Sequence, residues 1–306
     1  MPAPSRTLRV ADSFRVRDTD GVAEVRGFAH HLDRFTAAVL AVCDEWADVP
    51  ECTIDDESDG VHAIGLPEYG APEIRAALPA FLDEARERIA DYGQGFPRLE
   101  LWRLPNRELA LDLALRPLPT LTDTMLMRSA GAVRLQHADR KGPNIAVLGA
   151  LNRELGAEVL LQDAAGNAVE GATTSIVYWP AATGSGPAAP SGGRSGHVVA
   201  TAARVPSITE ALLRAEAGRP GAPYSLTART PSIPELQAAE VWAVNALHGI
   251  RQVTHLDGVS LPAPFPERLA WFRAALDRHW SPVLGSPDRA PTQDPAQHSA
   301  QDPAQP

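Results

Sequence analysis

The order in which the hydrophobic period changes along this chain limits its fold more than any other feature. Leu8 to Val16 alternate loosely with a period near two, Asp18-Thr19-Asp20-Gly21 supplies turn chemistry, and Val22 to Arg26 alternates again. An opening β-hairpin is expected from that pattern. The period then lengthens: Leu32, Phe35, Ala38, Val39 and Val42 form one helical face between His31 and Trp46. A second helix is expected from Pro72, whose missing N–H costs little in a first turn, to Tyr92. Strand patterns return at Arg98–Arg103 and Leu109–Leu115. Strands, helices and strands again predict a small α/β domain over residues 1–135.

The second half begins with a helix over Ile145–Leu155, closed by Gly156. A hairpin follows, from Glu158–Asp163 through the turn Ala164–Asn167 and on from Ala168 into Thr174–Trp179. Thr183–Gly196 is rich in Gly, Ser, Pro and Ala and reads as a mobile hairpin loop before a strand at His197–Thr201. Ser207-Ile208-Thr209-Glu210 opens a helix to about Ala217, with Ser207 or Thr209 able to cap it. A strand at Glu240–Asn245 and an amphipathic helix at Phe265–Trp280 complete a larger domain over residues 136–285. Residues 286–306 repeat Asp-Pro-Ala-Gln at 294–297 and 302–305 and read as a disordered tail. The fold class is therefore mixed α/β (α+β) in two domains.

Composition narrows the function. A net charge of −10 and a pI near 5.4 argue against nucleic acid or an anionic membrane as partner, since either needs a basic face. A small-molecule ligand is expected. No run approaches the roughly 20 apolar residues that span a bilayer, and Met1–Arg9 has no apolar signal core, so the expected location is cytoplasmic. Cys43 and Cys52 lie nine positions apart, without CxxC spacing, and read as free thiols. The histidines are scattered, and adjacent His30 and His31 would point apart on a helix, so no metal site is expected. GxGxxG, Walker A and GxSxG patterns are all absent.

Attention falls on Lys141 in Asp139-Arg140-Lys141-Gly142-Pro143-Asn144, followed by the hairpin that carries Glu170 in Val169-Glu170-Gly171-Ala172-Thr173-Thr174. A lysine amine can form a Schiff base and move protons, and a glutamate can keep a pyridine nitrogen protonated. Taken singly, such a lysine is a solvated surface residue, Arg34 a salt-bridged helix residue, and Ser207 and Thr209 simple caps. Their order gives them weight. With His31-Leu32-Asp33-Arg34, Val205-Pro206-Ser207-Ile208-Thr209 and Glu240-Val241-Trp242-Ala243-Val244-Asn245-Ala246-Leu247, the chain from about Leu8 to Trp280 resembles the class IV aminotransferases, the pyridoxal-phosphate enzymes of fold type IV.

The resemblance implies a small N-terminal α/β domain, a larger β-barrel-like α/β domain, pyridoxal 5'-phosphate as cofactor and a homodimer. It implies that Lys141 is the Schiff-base lysine and Glu170 the partner of the pyridine nitrogen. Arg34, the helix start Ser207, Ile208 and Thr209, and the strand end Asn245 and Ala246 would meet the phosphate. Arg103 is a weaker candidate for a substrate carboxylate. Trp102, Trp242 and Trp271 read as core or dimer packing.

Two departures bear on the reaction. Transaminases of this kind carry a tyrosine a few residues after the lysine, where this chain has Ile145, and many read Gly-Ile-Thr-Arg where this chain has Ser207-Ile208-Thr209-Glu210. The second change trades a cation for an anion near a phosphate. With Asn245-Ala246-Leu247, these features look most like the aminodeoxychorismate lyase branch, which makes 4-aminobenzoate and pyruvate. An amino-acid transaminase of the branched-chain or D-amino acid type, and a catalytically inactive relative with a binding role, are the alternatives. The expected ligand carries a primary amine and a carboxylate.

Overall fold

A computed structural model of the chain describes residues 6–47, 70–106, 108–180, 193–201 and 204–285. The expected loop at Thr183–Gly196 and the tail at 286–306 lie largely or wholly outside these residues, as does Cys52; Cys43 is buried and free. No helix among the described residues is long and apolar enough to cross a membrane.

The first half forms two short antiparallel sheets beneath a pair of helices. Strands β1 (Thr7–Ser13), β4 (Arg98–Arg103) and β5 (Leu109–Ala114) pair in the order β1-β4-β5, while β2 (Val16–Thr19) and β3 (Val22–Arg26) form the opening hairpin. The single strand expected over Leu8–Val16 is thus two strands in different sheets. The break falls at Phe14, a fully buried ring that packs 5.3 Å from Phe28, while Val16 and Gly95 exchange backbone hydrogen bonds. Helices α1 (Phe28–Ala47) and α2 (Ala71–Tyr92) lay Phe35, Val39, Val42, Ile74, Leu78 and Ile89 into one core with Leu99 and Leu101. The predicted helical face of α1 is the buried one.

A nine-stranded sheet makes the larger part. It contains β6 (Thr124–Ala132), β7 (Glu158–Gln162), β8 (Ala168–Gly171), β9 (Ser175–Pro180), β10 (Ser195–Val199), β11 (Ser225–Arg229), β12 (Ala239–Asn245) and β13 (Gly249–Leu256) in the order β11-β10-β9-β12-β13-β6-β7-β8, with β14 (Val259–Ser260) on β13. Strand β6, which lies before residue 135, is hydrogen-bonded to β7 and β13, so sheet membership changes between Ala114 and Thr124. Strands β9 and β12 are buried on both faces, which explains their nearly unbroken apolar runs. Tyr178, Val241 and Ala243 face one core, and Val177, Trp179, Trp242 and Val244 face the other, beneath α4 (Ile208–Ala217) and α6 (Pro266–Asp277). Trp242 is a core residue, its ring centroid 4.1 Å from that of Trp179 with the planes tilted by 47°, and Trp271 packs at the margin of the same cluster. The short helix α5 (Ile233–Gln237) begins with a capping box from Ser232 and Glu235.

Two parallel pairs determine where the site lies. Strands β6 and β7 are parallel and joined through α3 (Ile145–Leu155); β10 and β11 are parallel and joined through α4. Parallel neighbours need a crossover, and a helix that begins just past a strand's carboxyl end aims its N–H groups at the crevice there. The last strand, β15 (Trp280–Pro282), returns to pair with β3 and ties the end of the described chain to the opening hairpin.

Candidate active site

Lys141 sits in the connection from β6 to α3, and the opening strand holds it in place. The Ala11 N–H donates to the Lys141 carbonyl at 2.8 Å, and Arg140 pairs with Glu45 of α1. Gly142 has φ 137°, and a Cβ there would lie 2.8 Å from the backbone of Val10 and Ala11. Only glycine permits both the dihedral and the approach. The lysine side chain then enters a cavity of about 430 Å³.

Glu170, Arg34, Ser207, Ile208, Thr209, Asn245 and Ala246 all line that cavity with Lys141. Arg103 does not. It stands at the far end of β4 from Arg98, which does line the cavity, roughly 17 Å away at 3.3 Å per strand residue. The expectation for Arg103 is therefore corrected: the cavity end of the β4–β5 pair presents Arg98 and, just beyond β5, Arg116. Arg116 donates to the Phe96 carbonyl at 3.0 Å and to Ser13 Oγ at 3.2 Å, and Arg98 pairs with Glu100.

The charges around Lys141 change its chemistry. Its amine is pushed down to about 8, first by burial and then by Arg34, with Arg116 and Arg98 adding to the effect and Asp12 opposing it. Roughly a tenth of such an amine is neutral at pH 7, against well under a thousandth at the ordinary value. Glu170 goes the other way: burial pushes its carboxyl up to about 8 despite Arg204 and a Val205 N–H that favour the anion. The site thus pairs a lysine that releases its proton readily with a carboxyl that keeps one.

Arg34 is clamped. Its Nε and one terminal nitrogen donate to the two oxygens of Asp12 at 2.7 and 2.9 Å, and its other terminal nitrogen donates to the Pro206 carbonyl at 2.6 Å. Three of its five N–H groups are used, leaving two. Buried Asp12 also meets His31 Nδ1 at 2.7 Å. Burial alone would raise the Asp12 carboxyl, but Arg34, His31 and Lys141 together hold it well below the carboxylate range. Burial likewise lowers His31, outweighing Asp12.

The start of α4 faces the same space. Ser207 is its N-cap, accepting from the Glu210 N–H at 3.3 Å, so the N–H groups of Ile208 and Thr209 have no partner among the described residues. These are the donors an anion would take. Glu210, the departure noted above, is not a bare anion: it is buried against Arg204 at 2.8 Å, and Arg204 also reaches Ser175 Oγ and the Val199 carbonyl. At the other wall, Glu158 accepts from the N–H and Oγ1 of Thr173, from Thr174 Oγ1 and from Asn152, fixing the turn after β8. Asn245 ties that turn to the end of β12 through the Thr173 carbonyl, and its Oδ1 accepts from the N–H groups of Leu247 and His248. Ile145 lines the cavity and brings no hydroxyl.

Neither a protein-family model nor a curated protein sequence matches the chain. Solved structures do. The T.th. branched-chain amino acid aminotransferase, in complex with N-(5'-phosphopyridoxyl)-L-glutamate, superposes with a TM-score of 0.63 at 16% identity, over 91% of this chain and 90% of that one. The chain has the aminotransferase fold of type IV. The fold IV-transaminase of Curtobacterium pusillum agrees, with a TM-score of 0.59 at 20% identity over 89% and 84% of the two chains. So does a Legionella pneumophila protein assigned as a 4-amino-4-deoxychorismate lyase, with a TM-score of 0.60 at 13% identity over 88% and 90%. Within this type IV fold, Lys141, Glu170 and the start of α4 are all at the cavity, and Arg98, Arg116 and Glu158 line it too without any local mark in the sequence, while Asp12 reaches the site through Arg34.

Proposed function

We propose that the chain is a pyridoxal 5'-phosphate-dependent enzyme acting at the amine-bearing carbon of a small amino carboxylate, with aminodeoxychorismate as its best specific substrate. The observation that carries this reading is the cavity shared by a Lys141 amine pushed down to about 8, a Glu170 carboxyl pushed up to about 8, and the open start of α4. The donor set fits the cofactor. Ile208 and Thr209 have open N–H groups and Arg34 keeps two donors for a phosphate, and Glu170 has a proton to share with a pyridine nitrogen. When bound, the cofactor supplies a carbonyl for the amine and a ring that accepts electrons.

The residues then divide the work. Arg98 and Arg116 hold the substrate carboxylate. Lys141 would take the proton from the amine-bearing carbon, a role open to a lysine only when its basicity has been lowered. In the lyase reaction the C–O bond to the enolpyruvyl group breaks with its electron pair leaving on oxygen, the ring becomes aromatic as 4-aminobenzoate, and the enolpyruvate takes a proton, equal to the one given up at the amine-bearing carbon, to become pyruvate. Ile145 favours this over transamination, because it offers no hydroxyl to assist the transfer. The reading also takes the chain to be a homodimer, which sedimentation measures. Incubation with aminodeoxychorismate is expected to release equal amounts of 4-aminobenzoate and pyruvate, and a coloured protein that releases neither contradicts the lyase assignment.

Amino-group transfer to a 2-oxo acid is the second reading, favoured by the aminotransferase fold. It predicts bleaching of the visible band on addition of an amino acid alone. A protein that stays colourless after addition of cofactor would instead support a binding role without catalysis.

A further inference from the structure

A second cleft, of about 250 Å³, adjoins the Lys141 cavity at His248. Arg15, Arg26, Arg273, Thr122, His248 and Asp277 line it, and His248 lines both cavities. Two of its arginines are already neutralised. Arg26 pairs with Asp277 at 2.8 Å, and Arg273 with Asp123 at 2.9 Å. Arg15 is left over: its side chain makes no ion pair or hydrogen bond with the described residues, and its Nε is buried without a partner. Asp277 acts on it only at a distance, and the neighbouring Arg17 is taken by Glu24. A buried donor without an acceptor is costly unless something fills its place.

We infer that this cleft is a separate binding site for a small monocarboxylate, with Arg15 as its cation. The charge decides the class. One uncompensated guanidinium balances one negative charge, whereas a phosphate dianion would leave a charge over in a half-buried space. His248 adds a neutral donor: the Thr122 N–H reaches its Nδ1 at 3.3 Å, which puts the ring proton on Nε2. Burial and then Arg251 and Arg15 push His248 down to about 4, so it remains neutral. The Arg15 N–H donates to the Ala246 carbonyl at 3.3 Å, and Asn245 holds the His248 N–H at 2.9 Å. The cleft and the Lys141 cavity thus share the strand end from Asn245 to His248 as a fixed wall.

Trp280 supplies a reporter, because the Arg15 guanidinium lies 5.6 Å from its ring. Titration of the full chain with acetate is expected to give a saturable change in tryptophan emission that disappears in Trp280→Phe. Arg15→Gln should weaken binding at least tenfold, Arg15→Lys should restore most of it, and Arg116→Gln, in the other cavity, should alter it less than twofold. Thr122→Tyr, which fills the cleft without changing its charges, should block binding even if Arg15→Gln fails to fold. Inorganic phosphate should bind at least fivefold more weakly than acetate, and saturating pyridoxal 5'-phosphate should leave acetate affinity unchanged if the sites are separate. Absence of saturable binding, equal affinity in Arg15→Gln, tighter phosphate binding or competition with the cofactor would each overturn the inference. None of these results depends on turnover, so they stand or fall apart from the enzymatic reading.

Discussion

Glu170 is an acid that the folded chain keeps protonated where a free glutamate would ionise. Burial raises it to about 8, from an ordinary value of 4.5. Between those two values the native state holds a proton that the unfolded chain has released, so stability falls as pH rises through the window. Glu170→Gln removes the titration without removing the volume. In the cofactor-free protein the variant should match the parent near pH 4.5 and exceed it by about 3 to 5 kcal/mol at pH 9, at roughly 1.4 kcal/mol per pKa unit; urea denaturation at the two pH values checks this. Lys141 has the opposite sign: the folded amine loses its proton near 8 and the unfolded one near 10.5, so its contribution to stability rises with pH between them. Both residues were legible in the sequence, because a lysine before Gly-Pro and a glutamate past a tight turn stand out by residue type and order. Asp12, Arg98 and Arg116 were not. Nothing local marks an aspartate in an alternating strand as the clamp of an arginine 22 positions later, and only the antiparallel register of β4 with β5 distinguishes Arg98 from Arg103.

At the level of elements, what matters is how the loop that carries Lys141 and the helix that opens at Ser207 are held. Gly142→Ala must accommodate both a φ of 137° and a Cβ 2.8 Å from the backbone of β1. It should cost on the order of 3 kcal/mol and weaken the Ala11 to Lys141 hydrogen bond, so thermal melting should drop and amide exchange at Ala11 should quicken. Helix α4 rests on a buried charge pair. Arg204→Met leaves Glu210 unpaired and should destabilise by about 3 to 5 kcal/mol, whereas adding Glu210→Gln should recover most of the loss. A cycle without that recovery would mean Arg204 serves Ser175 and Val199 instead. Helices α1, α2, α3 and α4 were readable from periodicity and caps, and so were β3, β4 and β12. The break at Phe14 was not, since Phe14 continues the apolar pattern and only its packing against Phe28 and His31 turns the chain. The placement of β6 was also hidden, because its parallel partners lie after it in sequence, one of them more than a hundred residues away.

For the whole molecule, the decisive fact is that the cavity has walls from both halves of the chain. Arg34 comes from α1 and is clamped by β1; Ser207, Ile208 and Thr209 come from α4; Lys141 bridges them in a loop bonded to β1. The return of β15 to β3, with the Val283 N–H on the Ala23 carbonyl at 2.9 Å, closes the same two halves from the other end. A ligand that touches all of these walls binds only when both halves are folded and docked, so its binding energy adds to the stability of the whole rather than of one part. Pyridoxal 5'-phosphate at about a hundred times its dissociation constant should therefore stabilise the chain by about 2.7 kcal/mol and raise one cooperative melting transition. Arg34→Gln removes the contact from the first half and should cut that rise sharply. On the proposed role of Lys141, Lys141→Ala should lose the covalent link and the visible band but keep Arg34 and the start of α4, so a smaller upward shift should remain. Two separate transitions, only one of them moved by the cofactor, would show that the halves unfold independently and that the walls of the cavity belong to one half alone.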